Sequence, residues 1–107
     1  MMKKALFLFS VLTLTVTFLH AQVVHIDLDL LSGKRQPNPS EVQAMRAEEA
    51  NHPNIAAAMH EVEGAMAHLK AAPDGEFGGH KGDAEVALRQ AWFSLRKALY
   101  FRLYHGG

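Results

Sequence analysis

Residues 53–72 read PNIAAAMHEVEGAMAHLKAA, and residues 83–104 read DAEVALRQAWFSLRKALYFRLY. In the first run Ile55, Met59, Val62, Met66 and Leu69 recur every four or three positions. A helical turn takes about 3.6 residues, so this spacing lines them up on one face. Ala58, Ala65 and Ala72 widen the stripe, and Ala57, Gly64 and Ala71 make a second row of small residues. In the second run the stripe is Ala84, Leu88, Ala91, Leu95 and Ala98, flanked by Trp92 and Leu99. Between the runs Pro73, Asp74, Gly75, Gly78, Gly79 and Gly82 bend or break the chain. The pattern predicts one helix from Pro53 to about Ala72 and another starting between Gly79 and Asp83 and ending near Tyr104. Two such helices joined by a short Gly-rich turn read as an antiparallel helical hairpin.

Upstream, Ser40 and Gln43 make a capping-box pattern that opens a short helix ending near Asn51. His52 precedes Pro53 and is pushed out of helical dihedrals, to the N-cap of the next helix. Residues 32–39, with Gly33, Pro37 and Pro39, form a linker. From Gln22 to Leu31, apolar Val24, Ile26, Leu28 and Leu30 alternate with His25, Asp27 and Asp29, a period-two pattern that predicts an extended segment. That segment can pack across the helices, pair with another copy or stay loose. The expected fold is all-α: residues 22–39 an extended segment and linker, residues 40–107 a helical domain. A bare hairpin buries little apolar surface. Either the short helix covers it, or two copies pair as a four-helix bundle.

Lys3 and Lys4 precede an uncharged run, Ala5 to Leu19, and small Ala21 follows. This is the layout of a secretory signal peptide, residues 1–21, with cleavage after Ala21. The run is shorter than the roughly 20 apolar residues of a spanning helix. The expected location is therefore periplasmic or secreted. Cleavage would remove two of the eleven basic side chains and none of the eleven acidic ones, a balance that excludes a general nucleic-acid binder. The chain has no cysteine, which excludes disulfides, lipid attachment, zinc fingers and Cys-x-x-Cys-His haem attachment. A small domain without these staples turns to metal, oligomerisation or tight helix packing.

Apart from His20 the histidines are His25, His52, His60, His68, His80 and His105. Imidazole is the commonest metal-binding side chain. The predicted turn brings the end of one helix beside the start of the next, so His68, His80 and Asp83 are the candidate ligands for zinc or copper, with Asp74 as a fourth. The competing reading is that His80 and Asp83 cap the helix and His68 is solvated. His52 and His105 form a weaker pairing at the other end, His60 faces away from the apolar stripe, and His25, Asp27 and Asp29 lie on a polar edge. The serines Ser32, Ser40 and Ser94 sit in no nucleophile pattern, and Glu61, Glu63, Asp83 and Glu85 read as solvated or paired carboxylates. No nucleophile, base and orienter can be named together, so no enzyme is expected.

A second face of the last helix carries Arg89, Phe93, Arg96, Tyr100 and Tyr104, with Lys97 beside them. Such a cationic and aromatic face suits an envelope protein or a membrane surface. It is equally suited to internal cover by the short helix and the extended segment, through Glu48, Glu49 and Asp29.

The stretch His52-Pro53-Asn54-Ile55, an Ala-rich helix, Phe77-Gly78-Gly79-His80 and a second Ala/Leu helix resembles a group of small exported bacterial helical-hairpin proteins. It is also similar to the periplasmic small metal-binding proteins of nitrifying bacteria, which repeat Gly-His before Ala-rich helices. The resemblance spans Asn51 to Tyr104 and implies copper or nickel binding, carried over to His80 and His68. In that family histidines recur along every helix, whereas here they are fewer and irregular. The expectation from sequence is a small exported binding protein that self-associates and takes up transition metal weakly. Its alternative is an envelope interaction module using the cationic-aromatic face.

Overall fold

The computed structural model describes residues 24–105, which form five helices and no strand. The signal-peptide reading of residues 1–21 lies outside the described residues.

Val24 to Asp27 forms no regular element, with Asp27 itself extended, and the alternation stops there. Leu28–Leu31 is a single helical turn, α1, capped by Asp27, whose Oδ1 accepts from the Leu30 amide at 2.9 Å. The expected extended segment is thus corrected over its last four residues. The turn buries adjacent Leu30 and Leu31 together and leaves Leu28 half exposed, which no period-two strand could do. The Ile26 amide donates to the Leu103 carbonyl at 3.1 Å, so the segment packs across the helices. Gly33, at φ +85°, then reverses the chain against the Trp92 ring.

Helix α2, Pro39–Asn51, starts two residues earlier than expected. Its capping box is Asn38 with Glu41, not Ser40 with Gln43. Asn38 Oδ1 accepts from the Glu41 amide at 2.8 Å, and Glu41 Oε1 accepts from the Asn38 amide at 2.9 Å. Pro39 at the first helical position has no amide hydrogen to leave unpaired there, which favours this start. The helix buries Met45 between two glutamates, Glu41 and Glu48, each held by an arginine. Arg35 grips Glu41 through two bonds of 3.0 and 2.8 Å, and Arg102 reaches Glu48 at 2.9 Å.

His52 closes α2 and opens α3, Pro53–Ala71, with φ −131° and ψ 66°. Residues 72–79 lead into α4, His80–Leu99, through Gly75, Gly78 and Gly79 at positive φ. The Lys81 ammonium donates to the Ala72 carbonyl at 2.8 Å and pairs with Asp74 at 2.6 Å, closing the end of α3. Further along, the Trp92 indole N–H donates to Glu63 at 2.9 Å. The helical path is interrupted at Tyr100 before a short α5, Phe101–His105, so the expected single helix to Tyr104 is corrected. No Gly or Pro stands there. The interruption accompanies a tertiary contact, since Leu103 supplies the carbonyl that receives Ile26.

The buried core is Ile26, Leu30, Leu31, Met45, Ala56, Met59, Leu99 and Tyr100. It sits where α1, α2, the first half of α3 and the end of α4 meet. The inner face of α4 runs through Ala84, Leu88, Trp92, Leu95 and Leu99, whereas Ala91 and Ala98 are exposed. Trp92 and Leu99 therefore belong to the inward stripe, because a large ring fills the gap between helices that an Ala would leave empty. Toward the Gly-rich connection Val62, Met66, Leu69 and Leu88 remain only half buried.

Candidate functional site

The cationic-aromatic face of α4 is largely internal. Arg96 stacks on Trp92, with the guanidinium carbon 4.7 Å from the ring centroid, and lies 5.5 Å from that of Tyr100. It donates to the Leu31 carbonyl at 2.7 Å and the Leu30 carbonyl at 3.0 Å, satisfying the open end of α1. Tyr100 is buried, and its hydroxyl donates to Glu49 at 2.7 Å. Burial, and then the Glu49 carboxylate, pushes the phenol above its ordinary ionisation range. Phe93 and Tyr104 pack partly against the core, and Lys97 sits 4.6 Å above the Phe93 ring. Of the five residues expected on a partner face, Arg96 and Tyr100 make these ties within the chain. Arg89 stays exposed. Of the acidic residues in the internal alternative, Glu49 reaches this face through Tyr100, Glu48 pairs with Arg102 instead, and Asp29 is exposed.

The metal candidates are only partly brought together. His80 Nδ1 lies 4.0 Å from Asp83 Oδ2, and both side chains are almost fully exposed. His68 is exposed on α3, and Asp74 is engaged by Lys81. Among the described residues no three His, Asp or Glu side chains form a group that could hold a metal ion.

His60 is exposed on the face away from the apolar stripe, as its spacing predicts. Its ring Nδ1 lies 3.2 Å from Glu63, and Nε2 is 3.7 Å from Glu49 of α2. The opposite oxygens of those carboxylates accept from Trp92 and Tyr100. The two ring nitrogens face different carboxylates, so the arrangement is not a convergent ligand set.

An opening lies between α3 and α4 where, among the described residues, neither α1 nor α2 covers them. Met66, Ala67 and Lys70 of α3 and Gly82, Glu85, Val86 and Arg89 of α4 line a groove of about 650 Å³. No residue of α1 or α2 takes part. Val86 is 58% exposed, a large apolar side chain in water at the groove wall. It was legible in the sequence as an apolar residue off the α4 stripe. The groove itself was not, because its existence depends on where α2 stops covering the pair. Among the described residues no helix is long and apolar enough to cross a membrane. No family model, curated protein or solved structure matches the chain.

Proposed function

We propose that this chain is a small exported protein, an antiparallel helical hairpin braced at one end, that works as an interaction module. Its binding element is the groove between the distal halves of α3 and α4. The observation that carries this reading is the absence of α1 and α2 from that groove, which leaves Met66 and Val86 open beside Lys70, Glu85 and Arg89. Such a trough fits the apolar face of another helix, as in helix-in-groove recognition. The export part of the reading rests on the signal-like residues 1–21.

Amide exchange of the full chain tests the module, free and mixed with amphipathic probe helices of acidic, basic and neutral polar faces. Protection gained at residues 66–70 and 82–89, and lost in Val86→Lys, supports it. Protection elsewhere, or none with any probe at dilutions where the chain is monomeric, counts against it.

A second reading is weak zinc or copper capture at His80 and Asp83, with His68 recruited from the neighbouring helix. It is favoured by the 4.0 Å approach of His80 to Asp83. Calorimetric titration with each metal decides it. Heat that disappears in His80→Ala but persists in His60→Ala supports the site, and equal behaviour of the two variants refutes it.

A further inference from the structure

We infer that the occupant of the groove is a second copy of this chain, docked about a two-fold axis that passes near Val86. The inference rests on the interaction-module reading above and names its partner. A two-fold interface must be self-complementary, since each patch meets its own image. The groove satisfies that condition in its charges. Glu85 and Arg89 stand one turn apart on α4 and flank Val86, and Lys70 faces the same groove from α3. Among the described residues none of these three takes part in an ion pair, although Asp27, Glu41, Glu48 and Asp74 each pair with an Arg or Lys. When two α4 helices pack antiparallel with the axis at Ala87, Glu85 of each copy comes opposite Arg89 of the other. The two Val86 side chains then lie next to the axis, one on either side.

Gly82 is the independent observation. It lies inside the first turn of α4, where glycine weakens a helix relative to alanine. A Cβ built there meets nothing within 4 Å, so no contact among the described residues requires its small size. It lines the groove, where a missing side chain lets a partner helix approach closely. The pairing also covers the half-buried Met66, which α2 does not reach. It makes the distal halves of two hairpins into a four-helix bundle, the staple a small cysteine-free domain needs.

Sedimentation equilibrium on the full chain and its charge-swapped forms tests the inference. Glu85→Arg and Arg89→Glu should each weaken self-association by about tenfold or more, because like charges then meet twice across the axis. Mixed together, the two variants should pair at least as well as the unaltered chain, since each Arg regains a Glu opposite. Circular dichroism melts of both establish that they fold. A chain that is monomeric at about 100 μM overturns the inference, and so does a dimer indifferent to both charge swaps. If Val86-dependent protection by probe helices survives in a monomeric chain, the module reading stands and only the second copy is wrong.

Discussion

The Tyr100 hydroxyl and the Glu49 carboxylate meet at 2.7 Å, joining the end of α4 to α2 beside the core. Tyr100 is 1% exposed, so its hydroxyl has no water to turn to. Tyr100→Phe should lower stability by about 1–2 kcal/mol. For a domain of this size each kcal/mol moves the melting point by roughly 4–8 °C. Tyr104→Phe is the control, because its hydroxyl makes no side-chain hydrogen bond among the described residues and should shift the melt little. Equal shifts would place the effect outside the Glu49 contact.

The same phenol makes stability fall in alkali. Folding raises its pKa above the ordinary value of 10, through burial first and Glu49 second. Its contribution is therefore complete below pH 10 and declines above it, where the unfolded chain loses the proton and the folded chain keeps it. Urea unfolding between pH 9 and 11 should show this slope, and Tyr100→Phe should flatten it.

Arg35 and the Asn38 amide hold the Glu41 carboxyl down at about 2. Here the sign is reversed. The stabilisation is complete above the ordinary value of 4.5 and is lost as pH falls toward 2. Glu41→Gln should lower stability at neutral pH and reduce the acid dependence between those values. An unchanged acid limb would show that the clasp is broken in solution.

Gly33 and Gly75 have nearly the same backbone, φ +85° and +83°, in different surroundings. A Cβ on Gly33 would stand 3.1 Å from the Trp92 ring, whereas one on Gly75 meets nothing within 4 Å. Both alanine variants bear the left-handed backbone cost, about 1–2 kcal/mol. Gly33→Ala should be the worse of the two, because the Glu63 bond restrains the indole from moving aside. Denaturant midpoints compare them directly.

Arg96 closes the carbonyl end of α1 while stacked between two aromatic rings. Arg96→Ala should cost on the order of 2–3 kcal/mol, as a charged donor to two carbonyls is lost. Amide exchange in residues 26–33 should rise before exchange elsewhere. Arg96→Lys should rescue only part of this, since an ammonium cannot keep the planar stack and both bonds at once.

The sequence by itself determined the three longer helices, α2, α3 and α4. The four-and-three spacing from Ile55 to Leu69, Pro53 at a helix start, Pro73 after a helix end and the glycines before His80 are local rules of the backbone. They act wherever the chain goes. Local chemistry also contained the Asn38–Glu41 box with Pro39 between them, which competed with Ser40–Gln43 and prevailed because it satisfies the helix start with a proline already in place. Only the tertiary structure decided which faces are free. Arg96 and Tyr100 share their spacing with Arg89, but the first two lie under α1 and α2 and the third lies beyond them. Glu49 of α2 accepts from Tyr100 tens of positions away, and the Val24–Leu31 pattern gave way to a turn once Asp27 capped it and Leu103 received Ile26. Helical periodicity records which side of an element is apolar. What covers that side, and where the cover ends, depends on residues tens of positions away, and in this chain that boundary creates the groove beside Val86.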